Sequence, residues 1–391
     1  MDTTGLSKEH KKYLQVFREY ITECPIMSDD GTIVPFEEVV AAMNRELLSC
    51  GMELGIDSGG RFKCGSYSHL LALGMQIEME KIEVGMDWIR KILWKTQWSG
   101  ERIKVVANKM AGDVPQMKRK GSRMSYVVIR DLLYQSDSNV KVSSLVRQHA
   151  FLKDLVASLP KQDKKVQQAF DAIRALITDP KNIVLHISTC LTKLNAKLAD
   201  TPTKDLATLL KRSFPFDDNG PPAKRLANEP DIKWMVASEE LQSNPKGMVL
   251  GLGAEDSAYL TQAIPGPKSF SDEDLPALLT TFQYFCQGEG PFWRGIRGAG
   301  FAYDYYSSTA CNEGLIYFSL YRCSDIVGAY KAALDIIKSH ISGETQWSEQ
   351  LLTSAKSSLI FEYVVSAKTP LGLSSNSLHA YYRSLPGNYT R

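Results

Sequence analysis

Leu14, Phe17 and Ile21 recur at i, i+3 and i+7, which lines one face of a helix near the start of the chain. Pro35 predicts the opening of a second helix, where a missing N–H costs little; Phe36, Val39, Met43 and Leu47 follow at helical spacing. Between 68 and 79 the rhythm changes to alternation, with Leu73, Met75, Ile77 and Met79 on one face of a predicted strand. Val166, Phe170, Ile173 and Ile177 mark a further helix that stops before Pro180, and Ile183, Leu185 and Ile187 then alternate as in a strand.

The stretch Ser213–Pro230 breaks the pattern. Its Asp217-Asp218-Asn219-Gly220-Pro221-Pro222 core combines turn formers with residues that cannot donate from the backbone, and predicts an inter-domain linker. Beyond it the texture is richer in strand signals. Ile232, Trp234 and Val236 alternate, and Met248–Leu252 and Ala258–Ile264 form apolar runs. A helix is predicted over 274–287 and strands over 299–307 and 314–322. Asp325 then caps a helix carrying Val327, Tyr330, Leu334, Ile337 and Ile341, and Ser348 caps one running to about Lys368. A faint internal repeat joins the halves. Gly74–Met79 leads into a helix through Trp88 as Gly314–Leu320 leads into the helix from Asp325. The expectation is an α+β chain of two related domains, 1–212 and 231–391, joined by 213–230. Each is an antiparallel-rich sheet with helices packed on one face.

Composition narrows the function classes. Of 391 residues, 43% are hydrophobic and 23% charged, which is ordinary for a folded globular chain. The net charge of +2 gives no reason to expect nucleic acid or an anionic membrane as partner, and Lys118-Arg119-Lys120 with Arg123 reads as a solvated helix face. No apolar stretch approaches the ~20 residues that span a bilayer. Seven scattered cysteines without a C-x-x-C pair fit a reducing compartment. The acidic residues Asp2, Glu9, Glu19 and Glu23 are unlike a transit peptide, so the expected location is cytoplasmic; a mitochondrial one requires a transit peptide in a missing N-terminal region.

Helical two-histidine zinc motifs place two imidazoles four residues apart on one face. The histidines here are His10, His69, His149, His186, His340 and His379, and no two have that spacing. No metal ligand set is therefore assigned. There is no G-x-S-x-G elbow, and Gly251-Leu252-Gly253 lacks the third glycine of a dinucleotide fingerprint. The informative stretch is Trp293–Tyr303, a basic glycine-rich turn running into a strand with Tyr303, Tyr305 and Tyr306. Glycine lets another backbone approach, arginine offers forked donors, and tyrosine puts a hydroxyl on a rigid ring. A glycine-rich hairpin with surface aromatics would look the same.

The stretch Ile296-Arg297-Gly298-Ala299-Gly300-Phe301-Ala302-Tyr303, with Gly314–Asp325 behind it, resembles the C-terminal half of the inverted-zinc-motif peptidases of the pitrilysin and insulinase superfamily, in particular the presequence-protease branch. Turn, strand, Tyr-Arg-x-x-Asp and amphipathic helix come in the family's order. The resemblance implies a clamshell of two halves closing on an unfolded peptide. The N-terminal half, in cis or in trans, would carry H-x-x-E-H and the zinc, and the complete enzyme would perform zinc-assisted amide hydrolysis. The C-terminal half would carry an Arg and a Tyr that orient the substrate. Arg297 and Tyr303, six apart, match that pair, although Asp304 stands where the resemblance leads one to expect Gly. By this reading the chain binds substrate, holds no cofactor of its own and is inactive alone. The family's last domain continues beyond the segment resembling Tyr381–Gly387, so a fragment or short isoform is expected. Two other classes stay open: a structural scaffold subunit of the same superfamily, and an unrelated α/β interaction module.

Overall fold

The structure, a computed structural model, describes residues 1–56, 66–215, 246–383 and 385. These form two compact units, the first from 1–56, 67–114 and 142–215, the second from Ser66, 115–141 and 246–385. The units are discontinuous. Residues 115–141 group with the second unit, whereas a single cut at 213–230 assigns them to the first. Of that linker reading, only 213–215 fall within the described residues; Ser213 ends a helix, Leu206–Ser213, and Phe214 packs behind it. The strand reading on Ile232, Trp234 and Val236 lies outside the described residues.

The first unit is mainly helical. Helix Leu14–Tyr20 buries Leu14 and Phe17, with Ile21 just beyond it, as the i, i+3, i+7 spacing requires. Pro35 sits at the N-cap of Phe36–Glu46, which buries Val39 and Met43. The long helix Leu145–Ile177 presents Val166, Phe170, Ile173 and Ile177 to the same core, all fully buried. At its centre Phe17, Tyr20, Trp98 and Phe170 meet with ring centroids 5.3–5.9 Å apart, mostly edge to face. The buried Tyr20 hydroxyl donates to the Gln97 carbonyl at 2.7 Å and accepts from the Ser99 N–H at 2.9 Å, so burial leaves no orphan there.

The sheet of this unit is the antiparallel pair β3 (Ser49–Leu54) and β4 (Leu71–Gln76); a shorter hairpin, β1 (Ile26–Met27) and β2 (Ile33–Val34), stands apart. The predicted strand 68–79 ends three residues early, because Met79–Lys81 already turns as a 3-10 helix into Ile82–Arg90. Residues 183–188 are not a strand. Ile187 packs against Leu194 and Leu198, but Leu185 is exposed, and no neighbouring strand pairs with the segment among the described residues. Alternation alone does not create a ladder partner.

The second unit is built on a three-stranded antiparallel sheet in the order β5 (Ala258–Pro265), β7 (Leu315–Cys323), β6 (Ala302–Ala310). One face, with Leu260, Tyr305, Phe318 and Leu320, packs on helices Leu275–Cys286, Ile326–Ser342 and Glu349–Ser366. The opposite face receives helix Gly121–Leu133, through Ile129, Leu133 and Tyr134 against Ala263, Leu315 and Tyr317. Asp325 and Ser348 cap their helices as predicted, accepting from Gly328 N–H and Leu351 N–H.

Three expectations change here. The helix after Asp325 buries Ala329, Ala333 and His340 and keeps Tyr330 and Ile337 of the predicted stripe half-buried against the core, while Val327 and Ile341 at its ends are exposed. The run at 248–252 forms no strand, and its Met248, Val249 and Leu250 are exposed. The strand expected from 299 begins at Ala302, since Trp293–Arg297 is a π-helical turn and Gly300 adopts a left-handed φ of 78°. In each unit an antiparallel strand is followed by a helix, β4 through the 3-10 turn Met79–Lys81 and β7 through the Asp325 cap.

Candidate functional site

The turn before β6 is fixed from below. Ile296 is fully buried in the core of the second unit. Gly298 N–H bonds the Trp293 carbonyl at 2.7 Å, closing the wide π turn, and Phe301 N–H bonds the Ile296 carbonyl at 3.0 Å. A Cβ on Gly298 would lie 2.8 Å from the Arg294 carbonyl oxygen, so the turn needs glycine there. Ser324, just ahead of the Asp325 cap, donates its hydroxyl to the Gly300 carbonyl at 2.6 Å and ties the turn to the next helix.

On this base the two residues singled out from the sequence come together. The Arg297 guanidinium carbon lies 4.8 Å from the centre of the Tyr303 ring, in cation–π range. Both are exposed, Tyr303 at 57%. Among the described residues neither the guanidinium nor the phenol has a hydrogen-bond partner. A cation with forked donors and a phenol are thus held side by side with their polar groups free for an incoming carbonyl or carboxylate. Arg294, one turn earlier, is exposed as well.

Asp304 has a definite job. Its Oδ2 accepts from the Tyr306 hydroxyl at 2.7 Å, and its Oδ1 from the Tyr305 N–H at 2.8 Å. The Tyr306 phenol is pushed up to about 12, first by that hydrogen bond, then by burial and the charge of Asp304. Burial is also the main reason the Tyr305 phenol titrates higher than usual.

Tyr306 borders a pocket of about 230 Å³ that sequence reasoning missed, and it lies wholly within the second unit. Helix Gly121–Leu133 supplies Ser122, Ser125 and Tyr126; the sheet supplies Tyr259, Thr261, Ser319 and Tyr321. Tyr259 and Tyr321 pack edge to face, centroids 5.4 Å apart. The Glu255 carboxylate accepts from the Gly121 N–H at 2.6 Å and from the Tyr259 hydroxyl at 3.2 Å, holding the helix start on the sheet. Hydroxylated residues at alternate strand positions, Tyr259 with Thr261 and Ser319 with Tyr321, were the available signal. Nothing local showed that a helix 130 residues away would cover them.

Three of the histidines sit in packed interiors. His69, His340 and His379 are buried, and His340 is ringed by Tyr284, Phe285 and Trp347. Burial pulls the His69 imidazole down to about 4. Among the described residues no group of three or more His, Cys, Asp or Glu is arranged to hold a metal ion, so the residues present do not fit a zinc site. Among them, too, no helix is long and apolar enough to cross a membrane.

Comparison with solved structures settles the architecture. A protease from Helicobacter pylori superposes with a TM-score of 0.63 at 9% identity, covering 98% of this chain and 84% of that one. The periplasmic protease PqqL from Escherichia coli gives 0.62 at 12%, over 97% of this chain and 38% of its own. A peptidase M16 inactive domain from Pseudomonas fluorescens gives 0.53 at 13%, over 97% and 80%. The fold is pitrilysin-like. No family model matches the chain. By sequence it is 30% identical over 364 residues to an uncharacterized protein of Schizosaccharomyces pombe, covering 91% of this chain and 34% of that protein. An uncharacterized protein of Caenorhabditis elegans is 23% identical, over 99% of this chain and 36% of its own length. The chain therefore spans about a third of the curated relatives it matches.

Proposed function

We propose that this chain is the non-catalytic, substrate-binding C-terminal half of a zinc metalloendopeptidase of the presequence-protease branch. An N-terminal half, in cis or in trans, carries the zinc, and the location is cytoplasmic. The observation that carries the reading is the Arg297–Tyr303 pair, presented on a hydrogen-bonded turn with free donors on a pitrilysin-like fold. Arg297 donates to a carbonyl or carboxylate of an unfolded peptide, and Tyr303 hydrogen-bonds close to the amide being cleaved. Both act by holding the peptide in place.

The test uses the chain together with its zinc-bearing half. Losing one such hydrogen bond costs about 1.5–3 kcal/mol, roughly ten- to a hundred-fold in turnover. Arg297→Ala and Tyr303→Phe are each expected to lower peptide turnover by that much with fold and zinc content unchanged, and Arg294→Ala is the neighbouring control. If Arg294→Ala abolishes turnover while the other two keep the wild-type rate, the assignment is wrong. A second reading, a structural scaffold subunit of the same superfamily, draws support from the neighbour described as an inactive M16 domain. It predicts no affinity for peptide at all.

A further inference from the structure

We infer that the pocket between helix Gly121–Leu133 and the sheet is a subsite for one uncharged aromatic side chain of the bound peptide, with Tyr306 as its rim; the inference rests on the peptide-binding reading above. Size comes first. A dry cavity of about 150 Å³ accepts a benzene ring, and pockets for drug-sized molecules begin near 300 Å³. At about 230 Å³ the space here suits a single ring with its substituent and little more.

Chemistry of the wall selects the ring. Tyr126, Tyr259, Tyr306 and Tyr321 all border the space, and aromatic pairs gain from edge-to-face contact beyond the area they bury. Serine and threonine hydroxyls offer uncharged donors and acceptors, and among the described residues no Asp, Glu, Lys or Arg lines the pocket. The nearest carboxylates, Asp304 and Glu255, sit behind the wall and are already engaged by the Tyr306 and Tyr259 hydroxyls, so a charged group entering would give up hydration without a counter-charge on the wall itself. The rim is open to solvent, since Tyr126 and Tyr306 are 45% and 55% exposed.

Position links the pocket to the peptide. Tyr306 lies three residues along β6 from Tyr303, about 10 Å at the usual strand rise. A peptide engaged by Arg297 and Tyr303 and running along the outer strand β6 comes abreast of Tyr306 some three extended residues on. Asp304 lies between them and orients the Tyr306 hydroxyl, which gives a role to the residue that departs from the expected glycine.

The probes are three fluorescein-labelled eleven-residue Gly/Ser peptides differing only in a central Phe, Ala or Lys, titrated by anisotropy. The Phe peptide is expected to bind about ten-fold more tightly than the Ala peptide, and the Lys peptide no better than Ala. Ser125→Phe fills the pocket and should bring the Phe peptide down to the Ala level. Asp304→Asn, which keeps the side-chain shape, should erode the preference in part, and hydrogen exchange over 121–133 checks that the helix stays docked. Equal affinities for Phe and Ala, both lost in Arg297→Ala, overturn the subsite and leave the peptide reading standing. If no peptide binds, saturation-transfer NMR with N-acetyl-phenylalaninamide decides. A signal abolished by Ser125→Phe upholds the aromatic pocket while the peptide reading fails, and no signal overturns both.

Discussion

Replacing Gly121 with alanine should lift the start of its helix off the sheet. The added Cβ would lie 2.3 Å from both Cδ2 and Cε2 of Tyr259, where real Cβ contacts essentially never fall below 3.0 Å. The gap must open by 3.0 − 2.3 = 0.7 Å merely to reach that limit. The obstacle is the side of a ring rather than a flexible tip, and the ring is held by Tyr321 on one side and by Glu255 through its hydroxyl. Glu255 also caps Gly121, so moving either partner strains the same carboxylate. Alanine recovers at most about 1 kcal/mol of helix propensity, less at the first helical position, whereas overpacking costs about 1–3 kcal/mol. The net expectation is a loss of about 1–2 kcal/mol, about 2–4 °C in Tm per kcal/mol for a unit of this size. Hydrogen exchange resolved to 121–133 is the assay, because two units need not unfold as one. In a double-mutant cycle, Tyr259→Ala should relieve most of the cost of Gly121→Ala, a coupling of about 1 kcal/mol. Equal or greater protection of 121–133 in Gly121→Ala would refute the reasoning.

Two further outcomes follow from the same geometry. Asp325→Ala removes the cap that accepts from Gly328 N–H at 2.8 Å and should cost about 1 kcal/mol by urea unfolding, while Asp325→Asn stays near wild type. Glu46 is held below the usual carboxylate range, first by the Trp88 indole N–H donating at 2.9 Å. A depressed folded pKa gives stability that is present above the unfolded value of about 4.3 and lost as pH falls through the folded one. Glu46→Gln should therefore flatten the decline in Tm below about pH 4.3, and an unchanged acid limb would remove Glu46 from the account.

Much of the fold was legible because local signals agreed with tertiary need. Phe17, Phe170 and Ile173 stand at helical spacing and are buried, and Asp325 and Ser348 cap the helices they announce. Failures came where a pattern needed a distant partner. Ile183, Leu185 and Ile187 alternate without a neighbouring strand among the described residues, and Met248–Leu250 is apolar yet exposed. The candidate pair was legible because turn and strand are adjacent in sequence, so Arg297 and Tyr303 meet through local geometry. The pocket was not, since its helix and its sheet are separated by some 130 residues, and no local pattern tells that Gly121 would meet Glu255 and Tyr259.

The most direct test of the central claim is an anisotropy titration of the Phe-centred peptide against the purified chain, with and without a metal chelator. The account predicts saturable binding that is indifferent to chelation, weakened about ten- to a hundred-fold by Arg297→Ala and by Tyr303→Phe, and kept by Arg294→Ala. Binding that vanishes with the chelator, or that survives intact in both Arg297→Ala and Tyr303→Phe, would contradict it.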